Sequence, residues 1–141
     1  MAKTSTTKTK MKPARKVDAY GRVEIRTQAQ LTRELAQGTR EFAIVGDADL
    51  SVQIPDDVLF TVRGTAQPRV VAYGSSQPRV EAYDSSQPRV VASGSSQPRV
   101  VAYGSSQPRV EASDSSQPRV VAYGSSQPRV EAYDSSQPRV V

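Results

Sequence analysis

The chain has 141 residues, a formal net charge of +5 and no cysteine or histidine, which excludes disulfides, thiol chemistry, the usual nucleophile–base pairs and soft metal sites. No apolar run approaches the ~18 residues of a membrane span, and no apolar segment follows the basic N-terminus as a secretory signal requires. No span is therefore expected, no catalytic, cofactor or metal residue can be nominated, and cytoplasmic residence is the default expectation.

The charge is concentrated at one end. Residues 1–16 hold Lys3, Lys8, Lys10, Lys12, Arg15 and Lys16 and no acid. This Lys/Thr-rich segment has no hydrophobic periodicity and reads as a disordered basic tail. It is either a solubilising extension or an arm that lies on nucleic-acid phosphates or another anionic surface.

Residues 17–59 read as an N-terminal cap. Val17-x-Ala19-Tyr20-Gly21, with Val23 and Ile25 continuing the alternation, reads as an extended segment over 17–26. Thr27-x-x-Gln30 is a capping-box pattern, and Leu31 and Leu35 four apart followed by Gly38 predict a short amphipathic helix over about 28–37. Its narrow apolar stripe suits a cover for the open end of a stack. Phe42-Ala43-Ile44-Val45 and the alternating Leu50, Val52, Ile54 predict two strands, with Pro55-Asp56-Asp57 as a turn.

From residue 60 the chain is repetitive. Gln-Pro-Arg-Val recurs every ten residues, from Gln67 to Val140. The full unit is Val-x-Ala-Tyr/Ser-Gly/Asp-Ser-Ser-Gln-Pro-Arg, and residues 60–69 form a degenerate copy led by Phe60 and Val62. Alternate side chains of a strand point to opposite faces. The constant Val and Ala therefore face inward, and the switching Val/Glu and Tyr/Ser positions face solvent. Gly or Asp with Ser-Ser supplies turn chemistry, Pro suits a corner, and the serine hydroxyls are expected to bond local backbone. One strand plus one corner cannot bury its own face, so the units must stack.

The expected architecture is all-β: a β-solenoid of decapeptide repeats with about two repeats per coil, over 60–141, and one short N-terminal capping helix. Two repeats per coil stacks Tyr83, Tyr103 and Tyr123, but sets Glu111 over Glu131 and Asp114 over Asp134, like charges about 4.8 Å apart. The competing reading is a disordered Ser/Pro-rich tract.

The Val-x-Ala-Tyr-Gly/Asp-Ser-Ser units resemble the near-identical short repeats of bacterial and phage β-solenoid proteins. More distantly they resemble pentapeptide-repeat proteins, which share a coil of roughly 20 residues. The central Leu of the pentapeptide pattern is missing, so no inhibitor-like role is implied and no functional residue carries over.

Two functions compete. The first is a non-catalytic structural or interaction module whose partner is a second copy or another protein. It would associate end to end through Arg139, Val140 and Val141, where the chain stops one residue into a new repeat without a plug. The second is binding to nucleic acid or an anionic surface through the basic tail, assisted by columns of Arg79, Arg99, Arg119, Tyr83, Tyr103 and Tyr123. The Glu-x-x-Asp pairs at 81/84, 111/114 and 131/134 invite a paired-carboxylate reading, but adjacent Arg79, Arg109 and Arg129 make surface ion pairing the better account.

Overall fold

A computed structural model describes residues 16–52 and 58–141. The expected turn at Pro55-Asp56-Asp57 and tail residues Lys3, Lys8, Lys10, Lys12 and Arg15 lie outside the described residues. The fold is a parallel β-solenoid of about six turns with one short helix near its N-terminal end.

The chain enters through β1 (Val23–Ile25), α1 (Gln28–Ala36), β2 (Glu41–Ile44), β3 (Asp49–Val52) and β4 (Leu59–Val62). Then one strand per decapeptide follows: β5 (Arg69–Ala72), β6 (Arg79–Ala82), β7 (Arg89–Ala92), β8 (Arg99–Ala102), β9 (Arg109–Ala112), β10 (Arg119–Ala122), β11 (Arg129–Ala132) and β12 (Arg139–Val140). Successive strands alternate between two sheets. The larger runs β1-β2-β4-β6-β8-β10-β12 and the smaller runs β3-β5-β7-β9-β11. Every named strand pair is parallel, and within the repeats each residue sits beside the residue twenty positions on, as Val80 beside Val100 and Val70 beside Val90. Two decapeptides therefore make one coil.

That register builds columns. In the larger sheet Val23, Phe42, Phe60, Val80, Val100, Val120 and Val140 share one column. The core is wide where Phe42 and Phe60 stack, ring centroids 5.8 Å apart, and narrows to Val and Ala beyond. Burying each valine contributes about 1.5–3 kcal/mol. No single coil has enough of this to offset its own ordering, so stability comes from the stack.

Proline does not make the corner. The chain turns at Tyr/Ser-Gly/Asp-Ser-Ser, where the second serine's N–H donates to the carbonyl of the first turn residue, as Ser86 to Tyr83 at 3.1 Å. After the turn, Ser76, Pro78, Val80 and Ala82 all point inward and are buried, in a single period-two run. Pro lacks a donor but keeps its acceptor: Arg99 N–H donates to the Pro78 carbonyl at 2.9 Å. Backbone bonds between coils continue through the turn, with Gln97 N–H on the Ser76 carbonyl and Ser95 N–H on the Gly74 carbonyl. Several inward serines reach across coils rather than locally: Ser86, Ser116 and Ser126 Oγ each donate to a carbonyl 24 residues back, at 3.3 Å.

The helix behaves as its capping box foretells. Thr27 Oγ1 accepts the Gln30 N–H at 3.2 Å and Gln30 Oε1 accepts the Thr27 N–H at 3.2 Å. Leu31 is buried, and α1 packs against β1 and β3, the edge strands of the two sheets. It stands in the first coil where the smaller sheet would otherwise add a strand, and so covers the edge of β3.

The turn's second position has positive φ in every repeat. It is filled by Gly74, Gly94, Gly104 and Gly124 or by Asp84, Asp114 and Asp134, whose short polar side chains tolerate that region. Gly94 is tighter than Gly104 or Gly124: a β-carbon there would approach the Gly74 backbone to 3.1 Å, against 3.5 Å from Gly104 to Asp84 and 3.4 Å from Gly124 to Gly104. Gly94→Ala is expected to lower unfolding free energy by about 1–2 kcal/mol, and by more than Gly104→Ala. Urea denaturation of both variants measures the difference.

Candidate interaction faces

The outward side chains form columns on two faces. On the larger sheet these are Gln77, Gln97, Gln117 and Gln137; Arg79, Arg99, Arg119 and Arg139; Glu81, Val101 and Val121; and Tyr83, Tyr103 and Tyr123. The six column residues expected from sequence, Arg79, Arg99, Arg119, Tyr83, Tyr103 and Tyr123, thus share one face. The arginines do not form one continuous column, however. Arg69, Arg89, Arg109 and Arg129 stand on the smaller sheet, because alternate repeats belong to different sheets.

The tyrosines stack. Ring centroids are 4.8 Å apart for Tyr83–Tyr103 and 5.2 Å for Tyr103–Tyr123, with rings 9° from parallel in both pairs. The Arg63 guanidinium lies 4.3 Å from the Tyr83 ring centre and closes the N-terminal end of the stack. The faces between the rings are therefore occupied, and only Tyr123, 52% exposed, keeps an outer ring face open at the far end of the stack.

The switching Val/Glu column is more covered than alternation suggests. Glu81 is only 7% exposed, and Val101 and Val121 are buried. These side chains do point away from the core, but the flanking Arg and Tyr columns close over them. Buried there, Glu81 is paired: Arg79 sits 2.8 Å away and the Tyr83 hydroxyl donates to it at 3.1 Å. Burial, reinforced by this carboxylate, raises the Tyr83 pKa above its ordinary value.

The smaller sheet handles charge differently. Arg89 lies 2.6 Å from Glu111, Arg109 lies 3.3 Å from Glu111 and 2.6 Å from Glu131, and Arg129 lies 3.9 Å from Glu131. The like charges stacked by the two-repeat register are thus interleaved with arginine. The hydrogen bond from Arg109 holds Glu131 below the usual carboxylate range. The aspartates use the backbone instead: Asp84 Oδ2 accepts the Gly64 N–H at 3.0 Å, and Asp114 Oδ2 accepts the Gly94 N–H at 3.1 Å.

The two faces consequently differ. On the larger sheet Arg79 has Glu81, while Arg99, Arg119 and Arg139 have no acidic partner among the described residues. These arginines and the glutamine column line a groove that runs along the sheet from Glu41 and Leu59 to Gln137 and Arg139. At its far end β11 and β12 are sheet edges, Val140 and Val141 are 54% and 62% exposed, and Tyr133 is exposed. Lys16, the one tail cation within the described residues, is exposed, and its carbonyl accepts the Glu24 N–H at 2.8 Å.

No family model, curated protein or solved structure matches the chain. Among the described residues no helix is long and apolar enough to cross a membrane, and no group of three or more acidic side chains could hold a metal ion.

Glu131 supplies a pH test. Its folded pKa lies below the ordinary 4.5, so its contribution to stability is complete above that value and is lost as pH falls through the folded value. The parent chain is expected to melt slightly above Glu131→Gln near neutrality, with the gap closing on acidification below 4.5. The effect is small because the pair is exposed. A gap independent of pH, in paired thermal melts, would show that the ion pair contributes nothing.

Proposed function

We propose that this chain is a non-catalytic structural or interaction module, a capped β-solenoid rod that self-associates through the edge formed by β11 and β12. The observation that carries this reading is the difference between the ends. At one end α1 packs on β1 and β3; at the other, among the described residues, the edges of β11 and β12 carry exposed Val140 and Val141 and unpaired ladder groups. Such an edge is a template for further strand pairing. The non-catalytic part is supported by the fate of the Glu-x-x-Asp pairs. Their glutamates are engaged by arginine, and their aspartates accept backbone N–H groups.

Light scattering coupled to size exclusion tests this. The expected result is a salt-independent multiple of 15.3 kDa, converted to monomer by Val140→Lys, which places a charge on the edge. A parent chain that is monomeric across its accessible concentration range would overturn the reading.

A second reading, binding to nucleic acid or another anionic surface, is favoured by one observation: the run of Arg99, Arg119 and Arg139 without acidic partners among the described residues. The basic tail adds six cations. Neutralising Lys3, Lys8, Lys10, Lys12, Arg15 and Lys16 to glutamine in the full chain is expected to weaken binding to a labelled oligonucleotide and flatten its salt dependence. Absence of any salt-sensitive binding by the parent chain sinks this reading.

A further inference from the structure

We infer that the larger sheet's outer face, and not the smaller sheet's, is a binding strip for single-stranded nucleic acid held by its phosphates without regard to base. This rests on the second reading above and narrows it to one surface and one recognition chemistry. Both faces carry an arginine in every coil of the regular repeats, at the ~4.8 Å spacing of paired strands. On the smaller sheet Glu111 and Glu131 sit between the arginines at 2.6–3.9 Å and neutralise them. In the strand columns of the larger sheet the last acid is Glu81; beyond it Val101 and Val121 take the same column, and Arg99, Arg119 and Arg139 stack like charge on like charge.

Such a column is best stabilised by an external chain of negative charges running along the solenoid axis. The groove has that direction, and its glutamine column adds carboxamide donors beside each guanidinium. Charge along the groove is graded. Arg40, Glu41 and the Arg79–Glu81 pair lie toward the N-terminal end, acids matching bases, and the arginines without an acidic partner among the described residues lie toward the other. A strand of phosphates therefore lies over β8, β10 and β12.

The tyrosines set the mode of recognition. Single-strand binders commonly stack bases on exposed aromatic faces. Here Tyr83, Tyr103 and Tyr123 stack on one another, and Arg63 covers the first ring. The faces between these rings are used up within the protein and only the outer face of Tyr123 stays open, so contact is mainly with the backbone and largely indifferent to base.

The test compares matched charge losses on the two faces of the full chain, using labelled oligothymidylate and oligodeoxyadenylate of about 20 nucleotides. Arg99→Gln with Arg119→Gln is expected to weaken binding on the order of tenfold at low salt and to reduce the salt slope by about 1.4, two contacts at ~0.7 each. Arg89→Gln with Arg109→Gln, an equal change in net charge, is expected to alter affinity by less than about twofold. Arg99→Lys with Arg119→Lys should retain most binding, with circular dichroism verifying the fold of each variant. Equal losses from both pairs would overturn the inference, as would strong preference between the two oligonucleotides. Polyglutamate binding as tightly as the oligonucleotides would overturn it in favour of an acidic protein partner. If tail neutralisation abolishes binding while the Arg99/Arg119 pair has no effect, this inference fails and the broader reading survives; if the parent chain binds nothing, both fail.

Discussion

The backbone hydrogen bond from residue i to the carbonyl of residue i−21 is the constraint on which the rest depends. It recurs at Gln97 to Ser76, Arg99 to Pro78, Tyr103 to Ala82 and Ser105 to Asp84, and so runs through both strand and turn. Because it fixes a twenty-residue coil, it places like residues over like residues along the whole rod. Every column must then tolerate its own company at about 4.8 Å. Valine on valine and tyrosine on tyrosine do so without help. Glutamate on glutamate does not, and the smaller sheet answers by setting Arg109 between Glu111 and Glu131.

Much of this was legible in the residues. The inward Val and Ala, the stacked tyrosines, the two-repeat coil, the capping box at Thr27 and the wide Phe-lined start all follow from alternation and spacing. Two features were harder to read. Proline looks like a corner residue because it lacks a donor, yet only its acceptor is needed on that side of the ladder, and its ring fills the core. The clue was available: Ser76, Pro78, Val80 and Ala82 keep one parity. The burial of Glu81 was hidden for another reason. Alternation tells which way a side chain points, but not whether the neighbouring columns close over it, and here Arg79 and Tyr83 do.

The two faces show how little sequence change separates different surfaces on one scaffold. Replacing Val by Glu in one column converts a stack of bare guanidinium groups into an alternating ionic lattice, with no change in backbone register. The Gly-to-Asp switch accompanies each Glu, at 84, 114 and 134, and its positive φ is unchanged. The core specifies the rod, and the outward columns vary independently of it.

The alternation of decapeptides between sheets also gives the array a parity. Inserting or removing twenty residues lengthens or shortens the rod and leaves every later side chain on its own face. A change of ten does not: it carries all following strands to the opposite sheet, so that Tyr103 and Tyr123 would leave Tyr83, and the glutamates of the smaller sheet would move onto the larger. Repeat arrays whose units are so nearly identical are prone to slip by a single unit. In this one, such a slip would preserve the core and the backbone ladder while exchanging the chemistry of the two sides beyond it.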